Sequence, residues 1–345
     1  MPLAKYGVVL WLCLIIGVSI KCADDRLEDS NPSLQFYQPS HFPQAEYLFS
    51  NNPQTAGITE IGRRLFFDPI LSRDSTISCE NCHVPVSGFA DPSHAFSHGI
   101  DQQFGSRNSP ALSNLAWYSS FMWDGGIAHI ETMPSAPITN PIEMDLALRE
   151  AVLRLNRSTY YKSAFARHFG VDEIESQHML KAMAQFMASL ISDQSPYDAF
   201  LKGDKSVLNE EEKKGLNLFQ THCNQCHSGA LTTDFSFKNN GLSDSVEDEG
   251  RGHITTLTVD LGKFKVPSLR NIEKTLPYMH NASLQTLEEV VEHYSSGIQA
   301  HPNLDPSLPI GGFQFSDDNK EALVAFLKSL TDEAYLQDHR LRNPW

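Results

Sequence analysis

Cys79-Glu80-Asn81-Cys82-His83 and Cys223-Asn224-Gln225-Cys226-His227 are the two stretches on which the reading of this chain turns. Each is a pair of cysteines three apart followed at once by histidine, the pattern of covalent c-type haem attachment. The spacing has a mechanical reason. On a helical turn, residues three apart face the same way, so both thiols can bond the two haem vinyl groups while the histidine is directed beneath the iron as proximal ligand. A zinc site using both cysteine pairs, or two redox dithiols, would not require histidine after the second cysteine, least of all twice. The expected cofactors are therefore two c-type haems, one on Cys79, Cys82 and His83, the other on Cys223, Cys226 and His227.

Working outward, Gly62-x-x-Leu65-Phe66 precedes the first motif and Gly215-x-x-Leu218-Phe219 the second, which predicts two copies of one unit. Asn209 followed by Glu212 has the form of a capping box, so a helix should begin there with Leu216 and Phe219 on one face and Gly215 open to a crossing helix. Ser316 can cap that partner, on which Leu323, Phe326, Leu327 and Leu330 repeat at helical spacing. Leu180, Met183, Met187 and Leu190 mark another helix closing the first half, its methionines read as core. The polar tract 235–252 and the proline- and glycine-rich tract 297–312 read as loops, and alternation is scarce enough to leave room for one short hairpin. The predicted fold is mainly α, two cytochrome c-like domains with one covalent haem each. The boundary falls near residue 200, after Ser195-Pro196 and at Lys202-Gly203-Asp204-Lys205, giving an N-terminal haem domain 23–200 and a C-terminal cytochrome domain 201–345.

The 345 residues, 41% of them hydrophobic, suffice for two such cores. A formal charge of −15 opposes binding to nucleic acid or to an anionic membrane surface and suits a cationic redox partner. Lys5 and the apolar run Val8 to Ile20 have the form of a secretory signal over residues 1–22, predicting export to the periplasm. Of six cysteines, Cys13 lies in that signal, Cys22 at its end offers a lipid anchor, and four belong to the motifs, so none remains for a disulfide framework.

With both proximal positions filled, the opposite face of each iron decides between chemistry and electron transfer. His94, His98, Met122, Met133 and Glu143 are the candidates near the first haem. Met279, His280, His293 and Tyr294 are those near the second, and spacing does not choose among them.

Taken in order, the blocks Gly62-Arg63-Arg64-Leu65-Phe66-Phe67-Asp68-Pro69, Arg107-Asn108-Ser109-Pro110, Trp123-Asp124-Gly125, Pro141-Ile142-Glu143-Met144, Phe264-Lys265-Val266-Pro267-Ser268-Leu269-Arg270-Asn271 and Thr275-Leu276-Pro277-Tyr278-Met279-His280, together with the two haem motifs, make the chain resemble the bacterial dihaem cytochrome c peroxidases, which include MauG. That resemblance implies a peroxide-reacting N-terminal haem on His83 with Glu143 as its distal carboxylate, and an electron-handling C-terminal haem on His227. It further implies Trp123 as relay between them and one Ca²⁺ at Asn108 and the carbonyls of Thr275 and Pro277. A carboxylate over the iron can carry a proton from one peroxide oxygen to the other, and the apolar neighbours of Glu143 should raise its pKa.

Three positions depart from the peroxidases. Where they carry a histidine able to block the first haem, Ser97-His98-Gly99-Ile100 aligns Ile100, so the site is expected to be open, with His98 close by. Met133 stands at the family's distal glutamine. The methionine that ligates the second haem falls at Tyr294, as in MauG; a phenolate favours oxidised iron where methionine favours reduced. The expected function is reduction of hydrogen peroxide with electrons from a small soluble donor, a cytochrome c or cupredoxin. The alternatives are MauG-like oxidation of a residue on a protein substrate through a high-valent dihaem state, and a non-catalytic dihaem electron carrier.

Overall fold

In a computed structural model, residues 33–345 are described; the signal segment, Cys13 and Cys22 lie outside the described residues. Helix α1 (Ala56–Phe67) starts where the Thr55 hydroxyl accepts the N–H of Ile58 at 3.2 Å. It buries Ile61, Leu65 and Phe66 against α2 (Ser176–Ala188), which buries Met179, Met183, Phe186 and Met187, the core role read for the methionines. In the second half, α3 (Glu210–His222) begins with the predicted capping box, Asn209 Oδ1 accepting from the Glu212 N–H at 2.9 Å and Glu212 accepting from that of Asn209 at 2.8 Å. Helix α4 (Asp317–Lys328), capped by Ser316, crosses it with Leu323, Phe326 and Leu327 buried.

The two crossings repeat each other closely. A Cβ placed on Gly62 would stand 1.9 Å from the carbonyl oxygen of Ala182, and one on Gly215 would stand 1.9 Å from that of Ala322, with Phe186 and Phe326 next nearest. No side chain larger than hydrogen fits at either crossing.

The repeat continues into backbone that carries no sequence periodicity. Asn114 and Asn271 both adopt left-handed φ, 59° and 58°, each leading a 3₁₀ turn, Leu115–Trp117 and Ile272–Lys274. Their N–H groups donate to Leu190 and Leu330 respectively, just beyond α2 and α4. A few residues on, Phe121 donates to Ile127 and Tyr278 to Leu284, both at 2.7 Å, closing two equivalent corners in which Met122 and Met279 have φ of 67° and 71°.

Three apolar clusters form the core. One lies in the N-terminal half around Ile61, Leu65, Leu155 and Phe165, one in the C-terminal half around Phe219, Phe326 and Leu327, and the third draws on both, joining Phe66, Trp117 and Phe186 to Leu231 and Tyr335. The described residues accordingly fall in one compact unit. The junction is also polar. Arg270, 1% exposed, donates to both oxygens of Asp198, itself fully buried, at 2.5 and 2.8 Å, and His41 meets Asp198 at 2.6 Å. Ser195-Pro196, which reads as punctuation, is the start of the helix Pro196–Leu201 that carries Asp198 inward.

The fold is mainly helical, as expected. Among the described residues its strand content is a two-residue antiparallel ladder, β1 (Phe237–Lys238) with β2 (Phe264–Lys265), whose strands are far apart in sequence rather than joined as a hairpin. The tract 235–252 is not all loop: it contains β1 and ends in the first residues of a helical turn, Arg251–Thr255, and a 3₁₀ turn, Thr258–Asp260, follows before β2. No helix among the described residues is long and apolar enough to cross a membrane.

Candidate functional site

Each attachment motif is a tight turn that returns the histidine onto its first cysteine: the N–H of His83 donates to Cys79 and that of His227 to Cys223, both at 2.9 Å. The first turn is a 3₁₀ segment, Cys79–Asn81, held by Asn81 Oδ1 accepting from the Ser78 N–H at 2.8 Å. The second closes α3 directly, the Cys223 N–H donating to Phe219 at 2.8 Å.

Both histidines are prepared as ligands in the same way. Nδ1 of His83 lies 2.8 Å from the Phe89 carbonyl and Nδ1 of His227 lies 3.1 Å from that of Thr232; these two acceptor residues both have left-handed φ, 62° and 51°. A carbonyl can only accept, so Nδ1 carries the proton and Nε2 keeps its lone pair for a metal. Burial lowers the pKa of both rings, which keeps them neutral.

The four cysteines are free of disulfides. Burial, then the neighbouring cysteine, pushes the Cys79 and Cys223 thiols up to about 12. Such thiols are poor sources of thiolate, which disfavours dithiol exchange chemistry. Nor do any three of His, Cys, Asp and Glu among the described residues converge as a metal-binding group, so the two pairs do not share a zinc. Geometry and donor chemistry fit thioether-linked haem at both turns.

A large cavity is lined by Cys223, Cys226 and His227 and walled by Phe219, Leu269, Leu323 and Leu327. It extends past Asn108 and Trp123 to Leu112, Leu115, Met122 and Met133 of the N-terminal half. Of the four residues considered for the second haem, Met279 and Tyr294 meet at one amide: Asn240 Nδ2 lies 3.4 Å from the Met279 sulfur and 3.5 Å from the Tyr294 hydroxyl. Burial pushes the Tyr294 phenol up to about 12. His293 instead turns its Nε2 to the Asn240 carbonyl at 3.1 Å. His280 stacks on Phe264 with ring centres 3.6 Å apart, burial pushing it down to about 4.

At the first motif, Glu143 is close enough for its charge to raise the thiols of both Cys79 and Cys82. Burial raises the pKa of Glu143 itself, opposed by Asn140, whose Nδ2 donates to Oε1 at 2.6 Å. Gly99 makes this approach possible, since a Cβ there would lie 2.5 Å from the Glu143 Cα, and the Ile100 N–H donates to the Glu143 carbonyl at 2.8 Å. His98 packs between His94 and Phe104, ring centres 4.5 and 4.3 Å away, and His94 turns to Asp91. Cys79, Cys82, His83 and Glu143 do not line the large cavity; Met122 and Met133 do.

Asn108, Thr275 and Pro277 line the cavity together. Trp123 Nε1 donates to the Asn108 carbonyl at 2.8 Å, and the Trp123 carbonyl accepts the Lys265 N–H at the same distance. Arg107 pairs with Asp124 at 2.5 Å and Asp248 at 2.6 Å, tying the loop of Trp123 to the tract after β1. Asn140, Asn240, Gly99 and Lys265 are the site residues that sequence reasoning missed. Of these only Gly99 and Lys265 stood in blocks already quoted, and nothing in local spacing marks the two asparagines.

Residues 56–206 match the family model described as di-haem cytochrome c peroxidase. The methylamine utilization protein MauG of Methylorubrum extorquens is 36% identical over 324 residues, covering 92% of this chain and 89% of that protein. Cytochrome c551 peroxidase of Nitrosomonas europaea is 35% identical over 286 residues, covering 81% and 82%. Among solved structures, a MauG-like protein associated with microbial copper homeostasis superposes with a TM-score of 0.84 at 29% identity, over 90% of this chain and 99% of that one. On the strength of the paired attachment turns, the repeated scaffold and these relatives, the chain belongs to the di-haem cytochrome c peroxidase family that includes MauG.

Proposed function

We propose that this chain is a dihaem c-type peroxidase that reduces hydrogen peroxide to water, H₂O₂ + 2 H⁺ + 2 e⁻ → 2 H₂O, with electrons from a small soluble cytochrome c or cupredoxin. The carrying observation is Glu143, a carboxyl open to solvent on one side whose pKa is raised by the protein packed around it, held beside the first attachment turn. When bound, the two c-type haems supply the iron that reacts with peroxide and a store for electrons that arrive singly.

The residues do the rest. Cys79 and Cys82, and Cys223 and Cys226, tether the two groups, and His83 and His227 present Nε2 with their rings fixed through Nδ1. Glu143 takes a proton from one peroxide oxygen and returns it to the other, so that the departing oxygen leaves as water. Its raised pKa and the single hydrogen bond from Asn140 suit a group that must hold and release a proton. Trp123, anchored at both its ring and its carbonyl, is the relay between the halves. Asn108 Oδ1 and the carbonyls of Thr275 and Pro277, residues that line the cavity together, would hold one Ca²⁺, with water completing its shell. The division into a haem domain 23–200 and a cytochrome domain 201–345, and export to the periplasm under the signal over 1–22 with Cys22 as an available anchor, belong to the same proposal.

The test is steady-state oxidation of a reduced cytochrome c by peroxide, using holoprotein. Glu143→Gln should lower turnover by about 10² to 10⁴; turnover within twofold of the parent would remove Glu143 from the reaction.

Tyr294 favours a second reading, MauG-like oxidation of a residue on a protein substrate, because it and Met279 present a phenol and a thioether to the same amide. In this reading the Tyr294 phenol, together with His227, would hold the iron of the second haem. A peroxide-generated spectrum that persists for minutes and is lost in Tyr294→Met supports it, and a spectrum indifferent to that substitution rejects it.

A further inference from the structure

Two lysines line the large cavity, and they are not alike. Lys238 is neutralised by Asp305 at 2.8 Å. Lys265 has no carboxylate within ion-pair distance among the described residues. Its Nζ donates to the Ser120 carbonyl at 3.2 Å and lies 4.5 Å from the centre of the Tyr118 ring. Asp124, the nearest acid to act on it, is engaged by Arg107. Protein encloses the ammonium on the sides away from the cavity, and that desolvation pushes its pKa down to about 7.

A half-buried ammonium with a carbonyl and a ring face for company has a donor to spare and a desolvation cost to offset, and an anion in the cavity would meet both needs. The main chain fixes where that anion must lie. The Lys265 N–H is bonded to the Trp123 carbonyl, and two residues on, the Pro267 carbonyl faces the ring of His227. Lys265 thus stands between the relay indole and the second attachment turn. A porphyrin tethered through its vinyls at Cys223 and Cys226 keeps two carboxylates of its own.

We propose that Lys265 is a positioning residue whose ammonium binds a propionate of the C-terminal haem, fixing that edge of the porphyrin beside Trp123. The proposal rests on the haem reading above. Its cation stabilises the reduced iron, the state with one less positive charge.

The test uses holoprotein matured in a haem-loading host, with two haems verified by mass; a wild-type chain without them would fail the haem reading itself. In spectroelectrochemical titrations, Lys265→Met should shift the reduction equilibrium of one haem about tenfold toward the oxidised form, 59 mV for a one-electron couple. The other haem should move less, and Lys265→Arg should stay near the parent. Both equilibria within twofold of the parent in Lys265→Met would overturn the proposal. Should that variant not mature, wild type and Lys265→Arg still decide it. The propionate bending band in their resonance Raman spectra differs if the side chain at 265 touches a propionate, and coincident bands would reject the contact.

Discussion

Trp123 Nε1 donates to the carbonyl oxygen of Asn108 at 2.8 Å, so the indole is oriented by main chain of its own half while its carbonyl is held by β2 of the other. Replacing it with Phe leaves that carbonyl without its donor, a loss of about 1 kcal/mol. If the indole also relays electrons, Trp123→Phe should slow passage between the haems about tenfold or more, equivalent to roughly 1.4 kcal/mol in barrier. Single-turnover stopped flow after one equivalent of peroxide reads this directly; an unchanged rate with both haems present would deny the relay.

Glu143 predicts a pH dependence whose sign can be worked out. Its folded pKa lies above the ordinary 4.5, so the folded state holds the proton more tightly than the unfolded chain does. The resulting stability is present below about 4.5 and is lost as pH rises through the folded value. Glu143→Gln removes that liability. The variant should be no more stable than the parent at pH 4 and more stable at pH 7 and above, measured by denaturant midpoints of holoprotein across that range.

The opposite sign is expected at Asp198. Burial works against its charge, yet Arg270, Ser195 and His41 hold its pKa down at about 2 against the ordinary 3.8. Its stability is present above 3.8 and lost as pH falls from there through about 2. Asp198→Asn would leave Arg270, 1% exposed, without its counter-charge, at a cost of about 3–5 kcal/mol near neutrality. Urea unfolding should show that deficit shrinking below pH 3.8; a loss under 1 kcal/mol at pH 7 would mean the pair is dispensable.

The crossings at Gly62 and Gly215 should fail alike. Alanine at either position puts a methyl against a backbone carbonyl, and helices must part to admit it. We expect about 1–3 kcal/mol from each, in line with overpacking elsewhere. Near-equal losses in thermal melts of the two variants would match the repeat, and tolerance at one crossing alone would break the equivalence.

Much of this was readable from the chain. The attachment motifs need only local spacing, and the capping box at Asn209 and the Gly-x-x-Leu-Phe repeats are likewise short-range rules that the structure keeps. What escaped depends on contacts between residues far apart. Asn240 matters because Met279 and Tyr294 arrive at it from other segments, and Gly99 because the loop of Glu143 folds onto it. Ser195-Pro196 shows the ambiguity of short signals, since a pair that reads as a boundary mark starts a helix, and the burial of Asp198 is what the local sequence does not reveal. The equivalent asparagine turns at 114 and 271 were hidden because the backbone, and not the side-chain pattern, is what repeats.

The two corners closed at Phe121 and Tyr278 share a backbone, but after Met122 comes Trp123 and after Met279 comes His280. A duplicated scaffold of this kind lets one copy drift toward a new trade while its twin keeps the old one. One backbone corner, used twice, thus presents an indole at the first copy and an imidazole at the second.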